Sequence, residues 1–250
     1  MKIAIISDIH GNNEALDAVL KDIKNQAHDK IFCLGDLAMA GPEPHKTVER
    51  IEKMSENENF ELIQGNTDQK LGTFDEGFLN KLKENVPIMA SAYEADLKEL
   101  TDKNKIFLAS LPERKEIREN GVNILLVHGS PRRNDENITP DLSPEKIEEI
   151  IKGEKADIIF CGHTHVPCGY VTNTDQTVVN VGSVGRPFAE VPKSCYASLN
   201  IGENGDFEIE HRLVDYDTDT AAKKLTARGF DGCEKLAGML KGTTTRYPQK

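Results

Sequence analysis

This sequence of 250 residues lacks the features of a membrane-embedded or exported protein. It contains no apolar run that approaches the roughly 20 residues needed to cross a bilayer. Residues 1–10 lead into an apolar segment and an acidic loop, without the basic start and long apolar core of a signal peptide. We therefore expect a cytoplasmic protein with no membrane association.

Cysteine is scarce, and its spacing does not indicate a disulfide framework. The five cysteines are an odd number in a chain of this size, and no two of them form a C-x-x-C pair. We expect reduced thiols that act as small buried apolar side chains, as is usual in a cytoplasm. These residues are Cys33, Cys161, Cys168, Cys195 and Cys233.

An excess of positive charge is also absent. The formal net charge is −11 and the isoelectric point is about 5.2. Broad electrostatic binding to extended nucleic acid or to an anionic membrane is therefore not expected. The length suits one large α/β domain over residues 1–250. The oligomeric state is left open.

What the sequence does contain is a series of metal-ligand side chains, each placed just after a short apolar run that predicts a buried strand. Because strands of one sheet end at the same edge, seven donors from five loops are expected to meet in one crevice. Two-metal sites are built in this way on a rigid scaffold. The donors are Asp8, His10, Asp36, Asn66, His128, His163 and His165.

The first half of the chain reads as strand–helix–strand units. A helix that begins after Asn12 follows the first strand, and a second helix follows the second strand, so two crossovers predict a parallel sheet. Residues 71–111 are mainly helical in pattern and predict a helical insert near the site. Asn120-Gly121 then predicts a tight hairpin turn.

The second half of the chain is predicted to be mostly strands. The segments 169–172, 177–181, 196–201 and 207–213 have the pattern of successive antiparallel strands, which predicts a second sheet. Residues 218–241 predict one or two amphipathic helices.

Each metal-ligand motif is weak when taken alone. Asp-x-His, Gly-Asp and Gly-Asn are common in ordinary loops, and a histidine after a strand is often satisfied by the backbone. Independent turns would not be expected to supply complementary donors after five predicted strands. The coincidence of order, position and chemical type therefore favours a metal centre.

The same series resembles the calcineurin-like metallophosphoesterases, whose pattern D-x-H, G-D, G-N, a lone H and G-H-x-H occurs here in order over roughly residues 1–190. Small bacterial and archaeal phosphodiesterase-like proteins are the most similar branch. The resemblance implies a four-layer αββα sandwich of two mixed sheets flanked by helices. It also implies a first metal on Asp8, His10 and His165, a second metal on Asn66, His128 and His163, and Asp36 bridging both.

The chemistry of such a centre is phosphate ester hydrolysis. Two cations about 3.5–4 Å apart would hold a bridging hydroxide, which would attack phosphorus in line without a covalent enzyme intermediate. Asp36, Asn66 and His128 are the residues expected at the reacting centre. Nitrogen and oxygen ligands suit manganese, iron, zinc, cobalt or nickel better than calcium, and we expect manganese.

One position departs from the family pattern. Many members carry a histidine directly after the Gly-Asn motif that is thought to protonate the leaving group, and Thr67 stands there in this sequence. Either Asp68 with a raised pKa supplies the proton, or water does, or no acid is needed. Diesters with good leaving groups are therefore the expected substrates rather than monoesters.

Four polar residues are candidates for substrate binding. Arg132, Arg133 and Arg186 could hold nonreacting phosphate oxygens, although surface arginines are common. Asn12 could orient substrate or simply cap a helix.

Two other classes of function stay open. A noncatalytic module could keep the sandwich and use it to bind a protein partner, and a metal-dependent hydrolase could act on amides or thioesters. The complete ligand set favours catalysis on a small phosphate ester.

Overall fold

The computed structural model describes residues 1–188 and 191–242. Its strands are β1 (Lys2–Ile6), β2 (Lys30–Cys33), β3 (Phe60–Leu62), β4 (Arg114–Glu119), β5 (Val122–Val127), β6 (Ile158–Cys161), β7 (Cys168–Val171), β8 (Thr177–Asn180), β9 (Ser194–Ile201) and β10 (Phe207–Val214). Its helices are α1 (Asn13–Asn25), α2 (Pro44–Met54), α3 (Asn66–Gly72), α4 (Glu76–Asn85), α5 (Pro87–Glu99), α6 (Asp102–Ser110), α7 (Pro144–Ile150), α8 (Thr218–Ala227) and α9 (Cys233–Lys241).

The strands form two mixed sheets of five strands each, in the orders β10-β9-β1-β2-β3 and β4-β5-β6-β8-β7. Side chains that alternate along β1 show how the layers stack. Ile3 and Ile5 join a core that also contains Ile124 and Phe160 of the second sheet, whereas Ile6 packs among the helices. The other face of the second sheet packs on α7. The predicted four-layer αββα sandwich is confirmed.

The parallel part of the first sheet follows the sequence prediction. β1 pairs with β2 and β2 with β3, all in parallel, with α1 and α2 as the crossovers. Asn12 caps α1, because its side-chain oxygen accepts the backbone N–H of Ala15 at 3.2 Å. Asn120 and Gly121 both have positive φ, as the primed turn between β4 and β5 requires.

The pairing of the later strands differs from the prediction. β7 and β8 are antiparallel, but β8 lies parallel to β6 in the second sheet, and β9 and β10 return to the first sheet beside β1. β9 is buried along nearly its whole length, as suits a strand that is covered on both faces. Local patterns identify a strand, but they do not specify which sheet it joins.

The segments predicted to be helical are so in the structure. The predicted insert of residues 71–111 contains the end of α3 and all of α4, α5 and α6, and the C-terminal segment forms α8 and α9. Both groups of helices pack on the same outer core as α1 and α2. Among the described residues, no helix has the length and apolarity required to cross a membrane.

A polar contact fastens α1 to the two returning strands. Asp22 accepts hydrogen bonds from Arg212 Nε at 2.9 Å and from the Tyr196 hydroxyl at 2.7 Å. The Arg212 guanidinium lowers the pKa of Asp22 below its ordinary value, and Tyr196 adds to the effect although burial opposes it. The contact therefore stabilises the fold when Asp22 is ionised.

We expect Asp22→Asn to lower the free energy of unfolding at pH 7 by about 1 kcal/mol, because solvent screens part of the pair. A carboxylate with a depressed folded pKa stabilises above its unfolded pKa and loses that contribution as pH falls through the folded value. Urea unfolding of the wild type and of Asp22→Asn should therefore show a difference in the free energy of unfolding that is constant from pH 7 to 5. The difference should become smaller below pH 4. A difference independent of pH would contradict this role.

Candidate metal centre

All seven predicted donors lie at one end of the sandwich, but their strands do not belong to one sheet. Asp8, His10, Asp36 and Asn66 follow β1, β2 and β3 of the first sheet. The three remaining histidines follow β5 and β6 of the second sheet. The assumption of a single sheet was wrong, and the donors meet because both sheets present the carboxyl ends of these strands at the same end of the sandwich.

Five of the seven donors have left-handed backbone conformations. The φ angles are 55° at Asp8, 48° at His10, 53° at Asp36, 66° at His163 and 62° at His165. Residues other than glycine adopt this region rarely, at a cost of about 1–3 kcal/mol each. The conformation turns each side chain away from its strand toward its neighbours. Such clustering of strain is typical of a functional site.

Two glycines allow the loop after β1 to lie close to its neighbours. A Cβ added to Gly41 would be 1.4 Å from the His10 carbonyl oxygen, and one added to Gly185 would be 1.7 Å from the Ile9 carbonyl oxygen. Only a residue without a side chain fits at either position. The segment that carries Asp8 and His10 is thus held between two close backbone contacts.

Asp8 lies at the centre of the donors. Its Oδ1 atom is 3.2 Å from His165 Nε2, 3.7 Å from His10 Nε2 and 3.9 Å from His128 Nε2. Its Oδ2 atom accepts the backbone N–H of His163 at 3.0 Å. Within the described residues, the buried Oδ1 has no hydrogen-bond partner. A buried carboxylate oxygen surrounded by three ring nitrogens is an environment that a cation would complete.

Asn66 forms the other side of the cluster. Its side-chain oxygen is 3.0 Å from His128 Nε2 and 2.9 Å from His163 Nδ1. Asp36 lies between the two sides, with Oδ2 at 3.4 Å from His128 Nε2 and at 3.8 Å from His10 Nε2. Asp8, His10 and His165 have ligand atoms within 4.8 Å of one another, as do Asp8, Asp36 and His128.

Backbone carbonyls fix the orientation of three imidazole rings. His10 Nδ1 lies 3.1 Å and 3.0 Å from the carbonyl oxygens of Ala38 and Met39. His128 Nδ1 is 2.8 Å from the Leu34 carbonyl, and His165 Nδ1 is 2.6 Å from the carbonyl of residue 186. A carbonyl oxygen only accepts, so each Nδ1 must donate its proton. When these rings are neutral, Nε2 has its lone pair directed at the centre, as metal-ligating histidines do.

The charges of the cluster shift the ionisation of its members. Burial disfavours the charged form of His128, but Asp36 and Asp8 outweigh it and raise the pKa of His128 to about 10. Burial likewise opposes ionisation of Asp36, yet His128 lowers the pKa of Asp36 to about 2. Burial and the charge of His128 lower the pKa of His163 to about 4. The buried carboxylates therefore require a compensating positive charge.

Asp68 supports the loop of Asp36 and does not face the cavity above the donors. Its two oxygens accept the backbone N–H groups of Asp36 at 2.7 Å, Leu37 at 2.9 Å and Gly65 at 3.0 Å. The side chain is fully buried. Burial and the neighbouring charge of Asp36 raise the pKa of Asp68 to about 6.

The candidate substrate-binding residues lie in different places. Arg186 lines the cavity above the donors. Asn12 is buried and donates to the Gly185 carbonyl at 2.9 Å, in addition to capping α1. Arg132 and Arg133 lie outside the cavity lining and pair with acidic residues of their own loop and of α7. Of the four residues, only Arg186 lines the cavity.

The cavity, of about 380 Å³, also has an apolar side that the sequence analysis missed. Most of the lining residues that were missed belong to helices, where the sequence predicts that apolar side chains pack in the core. No spacing in the sequence distinguishes a core residue from one that lines a cavity. Thr67, next to the donors, lines the cavity as well. The residues that were missed are Val86, Ile88, Met89, Phe188, Lys235, Leu236 and Met239.

A divalent cation should stabilise the folded protein, because a ligand that binds only the native state shifts the unfolding equilibrium. At a hundredfold excess over the dissociation constant the gain is about 2.7 kcal/mol. In a chain of this size that corresponds to roughly 5–10 °C in melting temperature. We expect manganese added to metal-stripped protein to produce such an increase, measured by thermal unfolding.

The increase should be lost in His128→Gln and retained in His45→Gln. His45 is a half-exposed histidine on α2, beside Glu49 and away from the donors, so it is a matched control. An equal response of both variants would contradict the assignment of His128 to the metal centre. Metal content after dialysis gives an independent check.

Comparison with known proteins agrees with this geometry. Residues 1–204 match the calcineurin-like phosphoesterase superfamily domain. The uncharacterized protein MJ0912 of Methanocaldococcus jannaschii is 34% identical over 238 residues, which cover 89% of this chain and 91% of that protein.

Two solved structures have similar folds. The hypothetical protein PH1004 of Pyrococcus horikoshii has a TM-score of 0.85 at 22% identity, with 98% of this chain and 99% of that chain covered. A metallophosphoesterase of Sphaerobacter thermophilus has a TM-score of 0.75 at 25% identity, with 96% and 98% covered. Since the domain match covers most of the chain and the donors lie together in its fold, the chain belongs to the calcineurin-like phosphoesterase superfamily.

Proposed function

We propose that this protein hydrolyses phosphodiesters at a centre of two divalent cations. The observation that carries the proposal is the clustering of seven nitrogen and oxygen donors from five loops, among them the buried Asp8 Oδ1 atom, which has no hydrogen-bond partner among the described residues. The first cation would be held by Asp8, His10 and His165, and the second by Asn66, His128 and His163. Asp36 would contact both.

The position of Asp36 supports its assignment as the bridging ligand. Its Oδ2 atom approaches His10, a member of the first ligand set, and His128, a member of the second. Asp68 accepts two backbone hydrogen bonds from the loop of Asp36, donated by Asp36 and Leu37, and a third from Gly65, which precedes α3. We therefore propose Asp68 as a positioning residue.

When bound, the two cations lower the pKa of a water molecule and neutralise negative charge on phosphate oxygens. The donor set of imidazole, carboxylate and amide suits manganese, which we propose, with iron, zinc, cobalt and nickel as alternatives. The Arg186 side chain lines the same cavity, and its guanidinium suits a nonreacting phosphate oxygen. Arg132 and Arg133 are directed to acidic partners outside the cavity, so the proposal does not use them.

Among the described residues that line the cavity, no carboxyl or imidazole group other than those of the proposed metal ligands is available as an acid, which favours diesters over monoesters. Thr67 lines the cavity, but its hydroxyl donates to the Ala38 carbonyl at 3.2 Å and does not ionise near neutral pH. Asp68 is buried beneath the donors. Cleavage would then depend on a leaving group that departs without protonation. We propose a small diester as substrate and, from the five free thiols, a cytoplasmic location.

The two other classes of function give different results in simple assays. A noncatalytic module would bind manganese but leave all phosphate esters intact, whereas a complete ligand set favours catalysis. A hydrolase of amides or thioesters would release no new phosphorus species, which phosphorus-31 NMR of the product mixture would show.

We expect manganese-loaded protein to cleave bis-p-nitrophenyl phosphate faster than p-nitrophenyl phosphate, with cyclic and dinucleotide diesters tested in the same screen. Asp36→Ala and His128→Ala should each reduce kcat/KM by more than about a hundredfold, because loss even of groups that support a ligand costs 10- to 100-fold. His45→Ala is the control and should retain activity. Unchanged activity in Asp36→Ala and His128→Ala would reject the proposed centre.

Thr67→His tests the role of the missing acid. A histidine at this position should protonate a poor leaving group, so we expect kcat/KM for phenyl phosphate to rise by about 10- to 100-fold. The gain for p-nitrophenyl phosphate should be much smaller, because that leaving group needs no proton. Thr67→Asn introduces a polar side chain that is not an acid and should produce no gain. Equal increases in kcat/KM for phenyl phosphate and p-nitrophenyl phosphate would contradict the proposal that a missing acid limits monoester cleavage.

A further inference from the structure

We propose that the cavity above the metal centre selects esters whose phosphate carries an apolar ring. The inference rests on the proposed function and specifies the substrate class of the same site. It assigns recognition of the organic group to two elements outside the metal centre, the start of α5 and the helix α9. We call their cavity-lining apolar residues the apolar wall: Val86, Ile88, Met89, Leu236 and Met239.

The cavity has two chemically different sides. Its floor is formed by donors of the metal centre, which are polar and would face the phosphate. The apolar wall lines the same cavity, as does the ring of Phe188, which stacks on His165 at 5.0 Å between ring centroids. A substrate that carried only charge would leave the wall facing water. An ester with an apolar group would satisfy both sides.

Two cationic side chains line the cavity together with the polar donors and the apolar wall. Arg186 and Lys235 both line the cavity, and Arg186 Nη1 lies 3.8 Å from the sulfur of Met89. The positive charge of Arg186 therefore lies beside the apolar wall. An anionic phosphate next to an apolar group matches this order of charge and apolar surface.

The two methionines of the apolar wall favour an aromatic ring as the organic group of the substrate. Met89 and Met239 are both half-buried, so each still has surface to offer a ligand. Thioethers are flexible and make favourable contacts with aromatic rings. The volume of about 380 Å³ lies within the range of pockets that hold small organic molecules. A ring the size of phenyl or a nucleobase meets these conditions.

The family resemblance does not account for the whole wall. The match to the phosphoesterase domain ends at residue 204, whereas α9 spans Cys233–Lys241. Leu236 and Met239 are therefore supplied by a part of this chain beyond the matched domain. Val86, Ile88 and Met89 lie within the matched domain, so the part of the wall that lies beyond it is the part on α9.

The two elements of the wall are clamped together, so the wall is preformed. Gly232, which precedes α9, lies against Ile88, because a Cβ at that position would be 2.3 Å from Ile88 Cγ1. Arg228, whose side chain is 8% exposed, pairs with Asp96 at 2.6 Å and with Glu99 at 3.0 Å, both on α5. A rigid apolar surface binds a ring without the entropic cost of ordering loops.

Arg228 also ties this clamp to the metal centre. It donates to the Gly41 carbonyl at 2.7 Å, and Asp96 accepts the backbone N–H of Ala40 at 3.0 Å. Residues 40 and 41 belong to the loop that follows Asp36 and contacts the His10 backbone. The wall is thus held in a fixed position relative to the donors.

Two diesters with the same leaving group test the inference. Phenyl p-nitrophenyl phosphate and methyl p-nitrophenyl phosphate both release p-nitrophenolate, so they differ in the group that stays on phosphorus. With manganese-loaded protein we expect kcat/KM to be at least about tenfold higher for the phenyl ester. Equal values for the two esters would overturn the inference and leave the proposed function intact.

Variants of the two methionines locate the effect. Met89→Ala and Met239→Ala should each reduce the phenyl-to-methyl ratio about three- to tenfold, whereas Met89→Leu and Met239→Leu should largely restore it. Met54→Ala is the matched control, because Met54 is a half-buried methionine at the end of α2, outside the cavity lining. If neither alanine variant changed the phenyl-to-methyl ratio of kcat/KM, the apolar wall would not recognise the organic group.

Binding gives a readout that does not depend on turnover. Calorimetric titration of manganese-loaded protein with phenylphosphonate and methylphosphonate should show tighter binding of the phenyl compound and a more negative heat-capacity change, the mark of apolar burial. Equal affinities would contradict the inference. If the protein binds manganese but neither phosphonate binds and neither ester is cleaved, the proposed function fails and the inference fails with it.

Discussion

The arrangement of donors in the candidate metal centre depends on the buried carboxylate of Asp8, which requires positive charge nearby. Asp8 is fully buried, and although burial alone would raise its pKa, His165 and His10 hold the pKa of Asp8 well below its ordinary value. An ionised group in such a place is tolerated only when opposite charge surrounds it. The histidine orientations and the left-handed backbone conformations bring polar groups to this one point, and Asp36 lies between His10 and His128 beside it. The fold carries that local strain because two packed sheets determine where the loops can go.

The convergence of the candidate metal ligands could be predicted from the sequence because each of them follows a predicted strand. Asp8-x-His10 and His163-x-His165 follow recognisable strands, and side chains near strand ends tend to converge. The fold class followed from strand–helix alternation and from the family resemblance. The return of β9 and β10 to the first sheet could not be predicted, because their patterns specify burial and not partners. The same limit explains the assignment of all donors to one sheet.

The apolar wall lay beyond sequence reasoning for a related reason. Met89 and Met239 lie on helices, where an apolar residue that lines a cavity has the same sequence pattern as one that packs in a core. Their position depends on the contact of Gly232 with Ile88 and on the buried pair of Arg228 and Asp96, which join segments more than 100 residues apart. The residues at the floor of the cavity can thus be predicted from sequence motifs, whereas those of the apolar wall are identified only from tertiary packing.

The central claim is that these donors hold two neighbouring cations. Anomalous diffraction from crystals grown with manganese measures this directly, because it locates each metal without reference to activity. The account predicts two peaks about 3.5–4 Å apart, with Asp36 between them and the three residues of each ligand set around its own peak. No peak among these side chains, or a single peak coordinated without Asp36, would contradict it.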